Sequence, residues 1–423
     1  AAITVADPNG DNVSATITLD DNAKGVLSGT GLTGSGPYTL ASTDAASLQA
    51  SLRTLVFNPT DNRVATGSTE KTTFTLQVSD GGRNDTDDNT TVISSPVAPT
   101  VSLSSPVTSP TNDFTITATF SEPVTSFDAS DFTISNGTAG AVTSVSTTVY
   151  TSLITPTADG EVTVDVNAGG AQDAGGVDNT AATQFSITAD LTSPTVIISS
   201  TAADPINEAF TATFTFSEAV TGFALGDITV GNGAASNFVS TSATVYTALI
   251  TPTTAGLVTV DVAANVADDA ATNGNAIATQ FSITADLTSP TVVISSTAAD
   301  PINGAFTTSF TFSEAVTGFA IGDITMGNGT ASAFNATSVT VYTALMTPTT
   351  DGAVTVNVAA NVAQDAATNG NTAATQFSIT ADLTSPTVTI TSAAADPINR
   401  AFTTTFTFSE AVTGFALGDI TVG

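Results

Sequence analysis

The sequence predicts an all-β fold, a tandem array of antiparallel sandwiches, on three observations. A 96-residue step repeats along most of the chain, placing the proline of ADLTSPTV at Pro194, Pro290 and Pro386. Within each step, apolar residues alternate with polar ones, the pattern of strands with one buried and one wet face. Clusters of Pro, Gly, Asn and Asp punctuate these runs at the short intervals of strands joined by turns.

Taken in chain order, residues 1–96 form a unit of their own. They are strand-rich, with VSATITL, a Gly-rich hairpin region, ASLQASLRTLVFNPT and TTFTLQVSDGG. The unit opens close to a strand end, so its first strand is expected upstream of Ala1. Repeats follow at 97–191, 192–287 and 288–383, and a fourth runs from 384 to 423. Gly423 corresponds to Gly327 of the third repeat. A piece of that length cannot bury a sandwich core, so the chain reads as a segment of something longer.

The second repeat shows the internal pattern. Phe210, Ala212, Phe214 and Phe216 alternate with threonines, and Val258, Val260 and Val262 alternate with Thr259 and Asp261. Strands are expected over 195–200, 209–217, 227–230, 236–240, 244–251, 257–263 and 279–285. Seven short strands with no helical period read as an immunoglobulin-like sandwich. The Cys pair and Trp common in such domains are absent. The cores must therefore rest on Phe, Ile, Val and Leu, with Tyr150, Tyr246 and Tyr342 as packed tyrosines whose hydroxyls are bonded.

Composition narrows function. The chain has 6 Lys+Arg against 38 Asp+Glu, a formal charge of −32, and no His. Imidazole-assisted nucleophiles, thiolates and imidazole or thiolate metal sites are excluded. A nucleic acid or an anionic membrane would be repelled. With 41% hydrophobic and 10% charged residues, the chain should nevertheless bury cores. No apolar run is long enough to span a bilayer, and the opening AAITVADPNGDN lacks the basic and apolar regions of a signal peptide.

The segments FSEPVTSFDASDFTISNGTA at 120–139, TPTADGEVTVDV at 155–166, DAATNGNTAATQFSIT at 365–380 and the recurring ADLTSPTV resemble the bacterial Ig-like repeats of giant secreted surface proteins, including adhesins exported by type I systems. Residues 1–96, with ADPNGDN and VSDGG, resemble the bacterial cadherin-like repeats of the same proteins. These resemblances imply extracellular stalks, often stiffened by calcium. Lys and Arg are absent from 97 to 383, which the family does not require.

Strand parity places the carboxylates. The incoming linker, the loop between the second and third strands and the loop between the sixth and seventh all lie at one end of a seven-stranded sandwich. In the second repeat this gathers Asp190, Glu218, Asp227, Asp268 and Asp269 with Asn273 and Asn275, and no basic residue accompanies them. Like charges so gathered repel unless a cation fills the cluster, and hard oxygen donors on loops suit calcium. The set recurs as Asp286, Glu314, Asp323, Asp365, Asn369 and Asn371, and begins again as Asp382, Glu410 and Asp419. The first repeat offers Glu122, Asp128, Asp131, Asp173, Asp178 and Asn179, but its linker, Ser94 to Ala98, carries no carboxylate. The first junction is accordingly expected to differ from the others. The competing reading is that these are solvated turn residues, since Asp and Asn favour turns anyway.

Asp7-x-Asn9-x-Asp11 has the spacing of a calcium loop without the remainder of one, and reads equally as an Asn-Gly turn. Asp80, Asp85, Asp87 and Asp88 are expected in exposed turns, with calcium as the alternative, and Asp204, Asp300 and Asp396 as turn formers between the first two strands. Paired carboxylates can serve a glycosidase, but no aromatic-lined cleft accompanies them, and a catalytic pair repeated every 96 residues is not expected of an enzyme. The reading is a non-enzymatic extracellular stalk segment, stiffened by calcium at its junctions and supporting adhesion or a biofilm matrix. Its surface or matrix ligand lies outside the segment. The alternative is a subunit of a self-assembling filament or sheath. A glycan-binding module ranks last, for want of an exposed aromatic platform.

Overall fold

The computed structural model describes residues 3–61, 63–64, 67–107 and 111–423. The chain divides into two compact units. One holds 1–194 with 218–222 and 267–276; the other holds the remainder.

In the first unit, residues 13–94 build a five-stranded sheet centred on Val13–Leu19, which pairs with Tyr38–Thr43 on one side and Glu70–Ser79 on the other. Gly25–Ser28 and Val56–Pro59 form a separate two-stranded sheet. ASLQASLRTLVFNPT is not all strand, because Ala45–Leu52 is an α-helix. Asp44 caps it by accepting from the Ser47 backbone N–H at 2.9 Å. Leu48 and Leu52, one turn apart, are its buried residues.

The first repeat packs Val101–Ser104, Phe114–Phe120, Val149–Pro156 and Gly137–Ala139 in one sheet against Phe132–Ser135, Gly160–Val166 and Phe185–Ala189 in another. The apolar positions of Phe114–Phe120 are 0–3% exposed, and Val162, Val164 and Val166 face them from the opposite sheet. Period-two alternation thus becomes a two-layer core.

The second unit repeats the arrangement. Val196–Ser199, Phe210–Phe216, Val245–Pro252 and Gly233–Ser240 make a four-stranded sheet, and Ile228–Gly231, Gly256–Val262 and Phe281–Ala285 a three-stranded one. The observed strands fall within three residues of those expected from the sequence. The third repeat has the same order, and Val388–Ser392 pairs with Thr404–Phe408 beyond it.

One residue carries the chain from sheet to sheet. Asn136, Asn232 and Asn328 sit between the two strands at φ 54°, 55° and 59°. Asn tolerates that left-handed geometry better than most residues, and the side chain locks it. The Asn232 Nδ2 donates to the Thr254 carbonyl at 3.0 Å, and its Oδ1 accepts from the Thr253 and Thr254 hydroxyls. A Cβ on the flanking Gly231 would lie 2.5 Å from the Thr259 Oγ1, so a side chain there would force that hydroxyl to move. The recurring tyrosines are buried, and the hydroxyls of Tyr150 and Tyr342 donate to the carbonyls of Val124 and Val316 at 2.8 and 3.1 Å.

Candidate metal centres

The third repeat shows how the loops assemble a carboxylate site. Glu314 follows strand Phe306–Phe312 and is anchored by its neighbour: the Ser313 N–H donates to the Thr291 carbonyl, while the Thr291 N–H donates to the Ser313 Oγ. Reciprocal backbone bonds between Thr317 and Gln364 tie this loop to the one carrying Asp365. The Thr372 N–H donates to the Pro290 carbonyl, which brings that loop to the linker beside Asp286. Ligand oxygens of Asp286, Glu314 and Asp365 all lie within 4.8 Å of one another.

Asn369 holds the group in place. Its Nδ2 donates to the Asp286 carbonyl at 2.8 Å and to the Asp365 Oδ2 at 2.9 Å. Asp365 is buried, whereas Asp286 and Glu314 are half-buried. Burial pushes the Glu314 carboxyl above its ordinary value, and the charges of Asp286 and Asp365 push it further.

Asp190, Glu218 and Asp269 repeat the arrangement, again within 4.8 Å. Asn273 bridges the Asp190 carbonyl and the Asp269 Oδ2 at 2.9 and 2.8 Å. Glu218 is raised by burial and then by Asp190, Asp269 and Asp159. Oxygens about 2.4 Å from one ion lie at most about 4.8 Å apart, so each triad has the donor chemistry and spacing for calcium, with further ligands left to carbonyls or water.

Several of the expected residues have other partners. The Asp323 carboxylate accepts from the Ala320 N–H at 2.8 Å, closing a short 3₁₀ turn, and it is not one of the three clustered groups. Asp227, Asp131 and Asp419 accept from the N–H groups of Ala224, Asp128 and Ala416 in the same way. Asp268 is exposed and pairs through its backbone with Thr221. Asn275 and Asn371 accept from the N–H groups of Ala267 and Ala363, bracing their own loops. In the first repeat the Glu122 carboxyl is raised by burial and then by the charge of Asp173, which is only 4% exposed. Asp382 and Glu410 are half-buried, and the sequence ends before a counterpart of Asp365.

Of the remaining acidic residues, Asp80 forms a turn, accepting from Gly82 and Arg83. Asp85, Asp87 and Asp88 lie on the strand Asn84–Ser94, correcting the expectation of turns. Asn9 donates to Asp11 at 2.7 Å. Asp204 and Asp300 do more than form turns: each accepts from a last-strand N–H, of Thr284 or Thr380, at 3.0 Å.

Sequence reasoning missed Asp159 and Asp351. Asp159 accepts from the Leu191 N–H at 2.5 Å and from the Thr192 hydroxyl, and Asp351 does the same with Leu383 and Thr384. Each clamps the linker leaving its repeat. The signal lay in the alternation TPTADG, TPTTAG, TPTTDG, which puts Ala255 at the equivalent place in the second repeat.

The model of the bacterial Ig-like domain family matches residues 94–189, 190–285, 286–381 and 382–423. The chain belongs to that family. Among solved structures, invasin, a bacterial integrin-binding protein, is 14% identical over 92% of this chain and 76% of its own, with a TM-score of 0.35. A tetra-tandem repeat from the extending region of a large adhesion protein is 19% identical over 91% and 94%, with a TM-score of 0.27. The BSP domain of a biofilm-associated protein is 10% identical over 89% and 91%, with a TM-score of 0.24. No curated protein matches the chain significantly. Among the described residues, no helix is long and apolar enough to cross a membrane.

Proposed function

We propose that the chain is a structural stalk segment of an extracellular bacterial surface protein, and that calcium at its repeat junctions stiffens it. Tandem Ig-like repeats support the spacer role. The observation that carries the calcium reading is the recurrence, one repeat apart, of the triads Asp190, Glu218, Asp269 and Asp286, Glu314, Asp365, with no basic side chain to neutralise them. Each triad takes one carboxylate from the linker and two from loops of the following repeat, so a bound ion would add a charged bridge to the amide bonds from Asn273 and Asn369 that already join linker and loop. The protein's role is to hold an adhesive or matrix-contacting region at a distance. Residues 1–96, read as a cadherin-like unit, would extend the same stalk.

The experiment is small-angle scattering of the full chain in calcium and after chelation. The expected result is a changed maximum dimension with little change in the melting of the sandwich cores, because each core is apolar and each junction is charged. An unchanged dimension, with ion-free protein confirmed by elemental analysis, would refute the calcium mechanism. Ordered polymers in electron micrographs, in place of separate molecules, would favour the filament reading over the stalk.

A further inference from the structure

Two asparagines reach from one repeat to the next. Thr111, Ile206 and Ile302 each bridge in parallel to the last strand of their own repeat, at Ala189, Ala285 and Ala381. In the second repeat the Ile206 N–H donates to the Thr284 carbonyl, and the Asp286 N–H donates to the Ile206 carbonyl. The residue after each bridge, Asn112, Asn207 or Asn303, is thereby held beside the linker that leaves the repeat. Asparagine recurs there, although the next residue changes from Asp113 to Glu208 to Gly304. The Asn207 Nδ2 donates to the Thr368 Oγ1 at 3.3 Å, and the Asn112 Nδ2 donates to the Ala271 carbonyl at 3.1 Å. Each accepting residue lies at the tip of the loop before the last strand of the following repeat.

That tip is strained. Thr272 and Thr368 stand at φ 68° and 70°, left-handed geometry that a β-branched residue rarely takes. The loop is closed beneath Thr368 by Asp365, whose carbonyl accepts from the Thr368 N–H at 3.3 Å and whose Oδ1 accepts from the Asn369 N–H at 2.8 Å. In the first repeat the same place is held by Gly176, at φ 82°, which adopts that geometry freely. The preceding residue changes with it: Ala271 and Ala367 are each 4% exposed, whereas Gly175 is exposed. Ala366, Ala367 and Thr368 share a cavity of about 320 Å³ with 200–203 and 205–211 of the second repeat. Ala-Thr therefore stands at the tips that follow an Ig-like repeat, and Gly-Gly at the tip that follows 1–96. A strained residue persists where surrounding contacts over-determine it, and here the contact lies on the neighbouring repeat.

We propose that the asparagine before the second strand of one repeat and the Ala-Thr tip of the next form a docking joint that holds successive Ig-like repeats together without metal. The partner it fits is a tip with a small apolar side chain followed by a hydroxyl. The Gly-Gly tip of the first repeat has neither a methyl to bury nor a hydroxyl to bond, so this joint belongs to junctions between two Ig-like repeats. It shares a loop with the carboxylate triad, Thr368 standing three residues after Asp365, but uses none of the triad's carboxylate oxygens.

The chain has no Cys, so Thr229→Cys and Thr325→Cys, at exposed and equivalent places on the second and third repeats, each take a spin label. Pulsed electron spin resonance then reads the distribution of distances between the labels in the full chain, in chelator, where no ion holds the joint. Asn207→Ala and Thr368→Gly should each broaden that distribution about twofold, since neighbouring domains move unless a contact holds them. The double variant should be no broader than either single one, because both substitutions remove the same contact. Thr368→Gly keeps the loop geometry and relieves its strain, so the repeat should still fold while its joint loosens. Unchanged widths in both variants would overturn the joint, and so would a double variant broader by the sum of the two. A parent distribution already as broad as those of its variants would overturn it as well. The calcium reading stands or falls separately, because no arm of this test contains the ion.

Discussion

Glu314 lies between two unlike demands. The fold half-buries it beside Asp286 and Asp365, and its carboxyl is held above the ordinary value. A carboxyl that binds its proton more tightly in the folded chain than in the unfolded one loses stability as pH rises through its titration range. Without metal, Glu314 therefore opposes folding at neutral pH and is neutral in acid. Glu314→Gln should melt at or above the wild-type temperature at pH 7 in chelator, and the difference should vanish near pH 4, where both side chains are uncharged. In saturating calcium the order should reverse, because the amide is a poorer ligand. Thermal melts at the two pH values check this, and a metal-free variant less stable than wild type at pH 7 would show that the carboxylate charge is not the cause. Asp159 and Asp351 titrate in the opposite sense. Bonds from Thr192 and Leu191, or from Thr384 and Leu383, lower them, so their contribution is present above the ordinary aspartate value and fades below it.

At the level of the element, each linker is held or released by the turn before the sixth strand. Asp159 and Asp351 grip the residues leaving the first and third repeats, while Ala255 leaves Leu287 and Thr288 without that carboxylate. The junction at Asp286 should therefore be looser than the one at Asp190. Ala255→Asp restores the acceptor, and charge-assisted bonds of this kind are stronger than neutral ones. Amide exchange at Leu287 should slow by about threefold to tenfold in the variant, with exchange in Phe306–Phe312 unchanged. Equal exchange in both proteins would mean that the linker is held by its backbone alone. The Asn232 crossover makes a similar point. A single residue in left-handed geometry separates strands of different sheets, so sheet assignment in this fold depends on one side chain's bonds.

Over the whole molecule, acidic side chains far outnumber basic ones. The ion pairs among the described residues are Lys24 with Asp20, and Arg63 with Asp21 and Glu70, all within residues 1–96. The repeats stay hydrated through Thr, Ser, Asn and Asp. With a formal charge of −32, self-repulsion is the main long-range term, and salt screens it over about 10 Å at 0.1 M. Added sodium chloride should therefore raise the melting midpoint of the metal-free chain. A midpoint that falls steadily with salt would mean that attractive pairs outweigh repulsion. Calcium should flatten the dependence by neutralising the junctions first.

The strands were legible in the sequence because the cause of a strand is local. Alternation in FTATFTF and VTVDV specifies one buried face whatever the neighbouring chain does. The approach of Asp190, Glu218 and Asp269 followed from strand parity, which assigns loops to an end without needing distances. The helix Ala45–Leu52 was harder to see, since two leucines one turn apart in eight residues give too short a period to stand out. Only the tertiary structure separated clustered carboxylate from cap. Asp323 lies four residues from the Phe319 of its own loop and looks from the sequence like another pole carboxylate, yet the 3₁₀ turn folds it back onto the Ala320 N–H. Asp159 and the unpartnered oxygen of Asp173 were likewise invisible, because each depends on how separate turns meet. Sequence patterning determines which face of a strand is buried; which polar atoms are then left without partners depends on how separate loops meet.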